Sequence, residues 1–140
     1  MRAAKSYMAK KIIHLCKELE KWLQSNGGSD NIYIDSFYIG KTNDIERRRE
    51  EHATNDELDF TLEIAHGDSK IIKKAEHHMI MYFQQTNLKN KLKNTDSNAD
   101  GNSEAQKLYV SYHANLVNVR NIDDLDADEL SWPESYEIKE

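Results

Sequence analysis

Arg48, His52 and Glu76 stand at positions where a helix of a small domain normally carries apolar residues, and each can act on a phosphate ester. Such a helix holds itself on the body by an apolar stripe at i, i+3, i+4 and i+7. From Asp44 to Ala53 the stripe begins at Ile45 but continues with Arg48 and His52. A helix that turns a guanidinium and an imidazole inward is facing a site. Glu76 breaks a second stripe, between Ile72 and the pair Met79 and Phe83. A carboxylate buried alone is costly, so Glu76 is paired with an arginine, bound to a metal, or exposed on a rotated stripe. The metal is the functional reading of the three, because hard divalent cations take oxygen ligands.

Side by side, these groups suit phosphodiester hydrolysis. The reaction needs a nucleophilic water, a base to deprotonate it, and positive charge on the developing phosphorane oxygens. Arg48 offers that charge in bidentate form, and a metal on Glu76 would polarise the phosphate and the leaving oxygen. The stretch Phe37-Tyr38-Ile39-Gly40-Lys41-Thr42 adds a tyrosine and a lysine just before the Arg48 helix. Tyrosine, with a pKa of about 10, is a poor base at neutral pH unless cations depress it. Lys41, Arg48 and the metal are expected to do so.

The elements that must place these residues are legible in the spacing. Met8, Ile12, Leu15, Leu19 and Trp22 define an amphipathic helix over Lys5 to Gln24, too short for a coiled coil and expected to pack on its own domain. Asn31 to Gly40 reads as strand, or as two short strands with Asp35-Ser36 as a tight turn. Asn43 with Glu46 is a capping-box pattern that starts the polar helix. Leu58, Phe60, Leu62 and Ile64 alternate with polar residues as a half-buried strand. A further helix runs over Lys70 to Gln85, a polar loop over Asn87 to Asp100, and Leu108 to Tyr112 is expected as a late edge strand. The order points to a small sheet with helices on its faces.

Tyr38-Ile39-Gly40, with Arg48 ten residues after the tyrosine and His52 four after that, resembles the GIY-YIG endonuclease signature. The intervening Lys41-Thr42-Asn43-Asp44-Ile45-Glu46 is typical of that family. Glu76 in Ala75-Glu76-His77-His78-Met79-Ile80 stands where the family keeps its metal-binding glutamate, and Asn90-Lys91 where it keeps an asparagine. The resemblance spans about residues 31 to 91. It implies an α+β fold with a small three-stranded antiparallel sheet flanked by helices, here preceded by the amphipathic helix. It also implies cleavage of DNA with a single Mg2+, or Mn2+ in its place. Glu76 would hold the metal, Arg48 the scissile phosphate, and Tyr33 or Tyr38 would be the base. Lys41 and His52 would assist, and Asn90 would buttress the site.

The first half of the signature departs from the pattern. Asn31-Ile32-Tyr33 stands for Gly-Ile-Tyr, and four residues separate Tyr33 from Tyr38 where the family has about ten. Either the hairpin is reduced to a two-residue turn, or the true first strand lies elsewhere and Tyr33 extends the second.

Composition sets the remaining bounds. Of 140 residues, 38% are hydrophobic and 31% charged, which suits one domain with a modest core. We divide it into a packed helix and linker (1–28), a nuclease-like domain (29–114) and an acidic tail (115–140). Residues 1–94 carry 16 Lys/Arg against 14 Asp/Glu, and residues 95–140 carry 3 against 11, so the overall charge of -6 belongs to the tail. A phosphate-binding surface on the first part is therefore not excluded. The single Cys16 excludes a disulfide framework and a Cys-based zinc site, and no third histidine joins His77-His78 nearby. Met1 to Lys5 lack an apolar h-region and no 18-residue apolar run occurs, so an intracellular protein without signal peptide or membrane partner is expected, as a monomer or weak homodimer. A catalytically silent module on the same surface, binding nucleic acid or protein, is the alternative function. Arg48 and Glu76 joined in a buried salt bridge is a third reading.

Overall fold

A computed structural model of the chain describes residues 2–94, 104–125 and 132–139, residues 2–7 by their backbone alone. The tail acids Asp126, Asp128 and Glu129, and the end of the polar loop at Asp100, lie outside the described residues. In chain order the elements are α1 (Arg2–Gln24), β1 (Ile32–Thr42), α2 (Ile45–Asn55), β2 (Phe60–His66), α3 (Ser69–Phe83), β3 (Lys107–Leu116) and β4 (Tyr136–Glu137). Among the described residues, three α-helices and one sheet make an α+β fold. The sheet order is β1-β3-β2-β4, with β3 antiparallel to both neighbours and β4 parallel to β2.

The sheet is thus mixed and four-stranded, where a three-stranded antiparallel sheet was expected. The added strand exists because Ile138 is a buried anchor, 1% exposed, and its N–H donates to the His66 carbonyl at 2.9 Å. Part of the acidic tail therefore belongs to the core. β3 is central rather than an edge, and its ten residues explain a second difference. Residues 32–42 form one strand with a bulge between Ile34 and Ser36, not a hairpin turning at Asp35-Ser36. A long partner satisfies the backbone of a continuous strand, which a two-residue turn would leave unpaired.

One face of the sheet carries Ile34, Phe37, Ile39, Val110 and Tyr112 into a core with Leu15 and Leu19 of α1 and Ile72, Met79 and Phe83 of α3. α1 packs on its own domain, and Trp22 sets its ring edge against Tyr112, with centroids 5.3 Å apart. α2 covers the opposite face. Its cap is Asp44, which accepts the Arg47 N–H at 3.1 Å, rather than Asn43. Asn43 instead accepts from the Gln106 N–H at 2.7 Å and donates to the Glu104 carbonyl at 2.8 Å, tying the end of β1 to the start of β3. Among the described residues no helix is long and apolar enough to cross a membrane.

Candidate active site

The polar stripe of α2 lies on β1 and β3. His52, 3% exposed, packs against Tyr38 with ring centroids 4.8 Å apart and the ring planes tilted by 49°. Its Nε2 is 2.9 Å from the hydroxyl of Tyr109, and that hydroxyl also accepts the Arg48 Nε–H at 3.0 Å. Arg48 Nη1 donates to Glu51 Oε2 at 2.7 Å. Arg47 and Arg49 pair with Glu51 and Glu46 along the helix, and Arg49 also donates to the Thr61 carbonyl. One cation of the triplet, Arg48, therefore enters the tyrosine cluster.

Tyr109 was not among the residues singled out from the sequence. It reaches the cluster because β3 sets it opposite Gly40, while Tyr38 faces Ser111. A Cβ on Gly40 would lie 2.3 Å from Cζ and Oη of Tyr109, so the phenol needs the glycine. Burial, the largest influence, raises the pKa of both Tyr38 and Tyr109, although the Arg48 charge pulls each down. Burial thus outweighs the Arg48 charge at both phenols, which keep their protons at neutral pH. Burial and the Arg48 charge also lower the pKa of His52 against the opposing pull of Asp56, so its imidazole is neutral.

Lys41 and Glu76 lie across edge strand β1 on the α3 face. The Lys41 Nζ meets Glu76 Oε1 at 2.7 Å, with side chains 8% and 4% exposed. Glu76 is buried and paired, but with a lysine rather than an arginine, and Arg48 pairs with Glu51 instead. Burial raises the Glu76 pKa, and the Lys41 and Arg48 charges oppose that rise. Tyr38 and Tyr109 in turn feel the Glu76 charge. Both halves of the site therefore act on each other around the end of β1.

Among the described residues no group of three or more His, Cys, Asp or Glu side chains converges to enclose a metal. A cage for zinc does not fit. A hydrated Mg2+ fits better, since it keeps several waters and takes one or two carboxylates plus substrate phosphate. Glu76 is the carboxylate that would hold it, but its Oε1 is on Lys41 Nζ and its side chain is 4% exposed, so a hydrated ion reaches it only when that pair opens.

Two expected residues lie apart from this cluster. Tyr33 is 47% exposed, near the other end of β1, with the Lys91 ammonium 4.4 Å from its ring centre. Asn90 is exposed in the turn after α3. The asparagine bonded to this strand is Asn94: its side chain accepts the Ile39 N–H and donates to the Ile39 carbonyl, each at 2.8 Å. With the Lys91 carbonyl and the Lys93 N–H bonded to Phe37, it covers the free edge of β1 beside Tyr38 and Gly40. An open cleft lined by His66, Gly67, Ile71, Lys107 and Ile138 lies on the β4 side of the sheet and holds none of these groups. Comparison of the chain with protein-family models, curated proteins and solved structures finds no match.

Proposed function

We propose that the chain is a GIY-YIG-type endonuclease that hydrolyses DNA phosphodiester bonds with a divalent metal. The observation that carries this reading is the convergence of Tyr38, Tyr109, Arg48 and His52 on one sheet face, with Lys41 and Glu76 around its edge. The resemblance asks for a tyrosine on a strand paired with Tyr38-Ile39-Gly40. Tyr109 on β3 meets that requirement from downstream in the chain, in place of Tyr33. In this reading Arg48 neutralises the scissile phosphate, and Tyr109 with His52 handles the proton of the attacking water. Lys41 positions Glu76, Glu76 holds Mg2+ or Mn2+, and Asn94 in place of Asn90 fixes the strand. A bound metal would add Lewis-acid polarisation of the phosphate. Nicking of supercoiled plasmid with Mg2+, wild type beside Arg48→Ala and Glu76→Ala, tests it.

One observation favours a silent binding module instead. Glu76 and Arg48 already hold partners in Lys41 and Glu51, each at 2.7 Å. That reading expects DNA or protein binding that is indifferent to Mg2+ and accompanied by no nicking.

A further inference from the structure

The His52 ring has a second partner that the proposed chemistry has not used. Its Nδ1 lies 2.8 Å from Asp56 Oδ2, on the residue that ends α2. The turn there is fixed by its backbone. The Asp56 and Leu58 N–H groups both donate to the His52 carbonyl, at 3.0 and 3.1 Å, and Glu57 between them adopts a left-handed φ of 59°. Asp56 is thereby held one helical turn from the imidazole it contacts.

The neighbours of the ring decide its tautomer. Nε2 faces Tyr109 at 2.9 Å and Arg48 Nη2 at 3.4 Å. Arginine has donors only, so Nε2 is the unprotonated, accepting nitrogen and Nδ1 carries the hydrogen. An ionised carboxylate accepts only, which suits Nδ1–H to Asp56. The Tyr109 oxygen already accepts from Arg48 Nε, and its own hydrogen points to Nε2. The chain of donation is Tyr109 to His52 to Asp56.

We propose that Asp56 is the positioning residue of a Tyr109–His52–Asp56 proton relay, an inference that rests on the site hydrolysing phosphodiesters. A buried phenol that keeps its proton cannot accept another unless it passes its own on. Tyr109 is 0% exposed beside Arg48, so in the relay Arg48 turns to the phosphate. The attacking water that takes its place gives a proton to the Tyr109 oxygen as the Tyr109 O–H bond breaks and an Nε2–H bond forms. The hydroxide forms the new bond to phosphorus, and the bond from phosphorus to the departing sugar oxygen breaks. That oxygen takes a proton from solvent, and the imidazolium later releases its proton to solvent through Tyr109. Asp56 stabilises the transient imidazolium against Arg48, the positive charge on the same face. Glu51 adds a second negative charge nearby, and Tyr38 flanks the ring.

Asp56 is half exposed, with a side chain 48% accessible, so Asp56→Asn should fold. The test uses the full chain with 15N-labelled histidine and reads the His52 ring nitrogens by NMR beside plasmid nicking. Expected is the Nδ1–H tautomer in wild type, and its partial or full loss in Asp56→Asn. The kcat should fall by about 100-fold or more with KM little changed. Asp56→Glu should recover part of both. An unchanged tautomer in Asp56→Asn, or a changed tautomer with unchanged kcat, overturns the relay. A wild type that nicks nothing while its tautomer depends on Asp56 refutes the hydrolase reading and leaves Asp56 as the group that orients His52.

Discussion

Gly40 and Tyr109 occupy one place: the phenol ring of Tyr109 lies where a side chain on Gly40 would begin, 2.3 Å from an added Cβ. The glycine of the Tyr-Ile-Gly stretch is therefore a seat for a residue on the neighbouring strand. Gly40→Ala should destabilise the fold by about 1–3 kcal/mol, as overpacked cores do. It should also displace Tyr109 from His52. Urea unfolding of the variant measures the first effect, and stability equal to wild type would show that the ring has room to move.

Lys41 and Glu76 form an ion pair almost sealed from water. Removing one partner leaves an uncompensated charge, so Lys41→Met should cost about 3–5 kcal/mol. The double variant Lys41→Met/Glu76→Leu should regain most of that loss. Denaturation midpoints of the three proteins decide it, and a fully stable Lys41→Met would mean that Glu76 sits protonated and unpaired without penalty.

Asn94 and Asn90 separate cleanly. Asn94→Ala removes both side-chain bonds to Ile39 and leaves a buried N–H and carbonyl unsatisfied, at a cost of about 2–4 kcal/mol. Asn90→Ala, at an exposed turn position, should change stability by less than about 0.5 kcal/mol. Equal effects would remove Asn94 from its place as the buttress of β1.

How much of this was visible in the sequence depends on whether the signal was local. The stripes of α1 and α3, and the polar face of α2, follow from spacing alone, so Arg48, His52 and Glu76 stood out as misfits. Tyr109 did not, because Leu108, Tyr109 and Val110 read as an ordinary strand. Its importance comes from register with Gly40 across the sheet, which no local window contains. Asn94 and Asp56 give no local signal for a related reason: one bonds a distant strand, and the other follows the last residue of α2 and meets His52 only through the turn formed there. A continuous β1 sets Tyr33 47% exposed and apart from the cluster, a consequence of strand continuity that the local sequence left open. The fourth strand depended on Ile138, a single apolar residue in an acidic segment.

His52 makes stability depend on pH. Its pKa in the fold lies below the ordinary value of about 6.5, so on acidification the unfolded chain takes up the proton first. The contribution is complete above about pH 6.5 and is lost as pH falls from there toward the folded pKa. Urea midpoints between pH 7.5 and 5.5 should drop more for wild type than for His52→Gln. Parallel slopes would place the imidazole in an unperturbed setting.

The tail also offers a charge test. The acidic charge of residues 115–140 should repel DNA, but deleting them would cut β3 and remove Ile138 from the core. Changing Asp123, Asp124, Asp126, Asp128 and Glu129 to their amides retains β3 and Ile138 in the chain and should raise DNA affinity most at low salt. Affinity that stays the same at low ionic strength rules the effect out.

The decisive measurement is the rate of supercoiled-plasmid nicking with Mg2+ for wild type, Tyr109→Phe, Arg48→Ala and Glu76→Ala. Wild type should nick in a metal-dependent way, and each variant should be slower by about 100-fold or more. A wild type that nicks no faster than Arg48→Ala and Glu76→Ala would contradict the assignment of this site to phosphodiester hydrolysis.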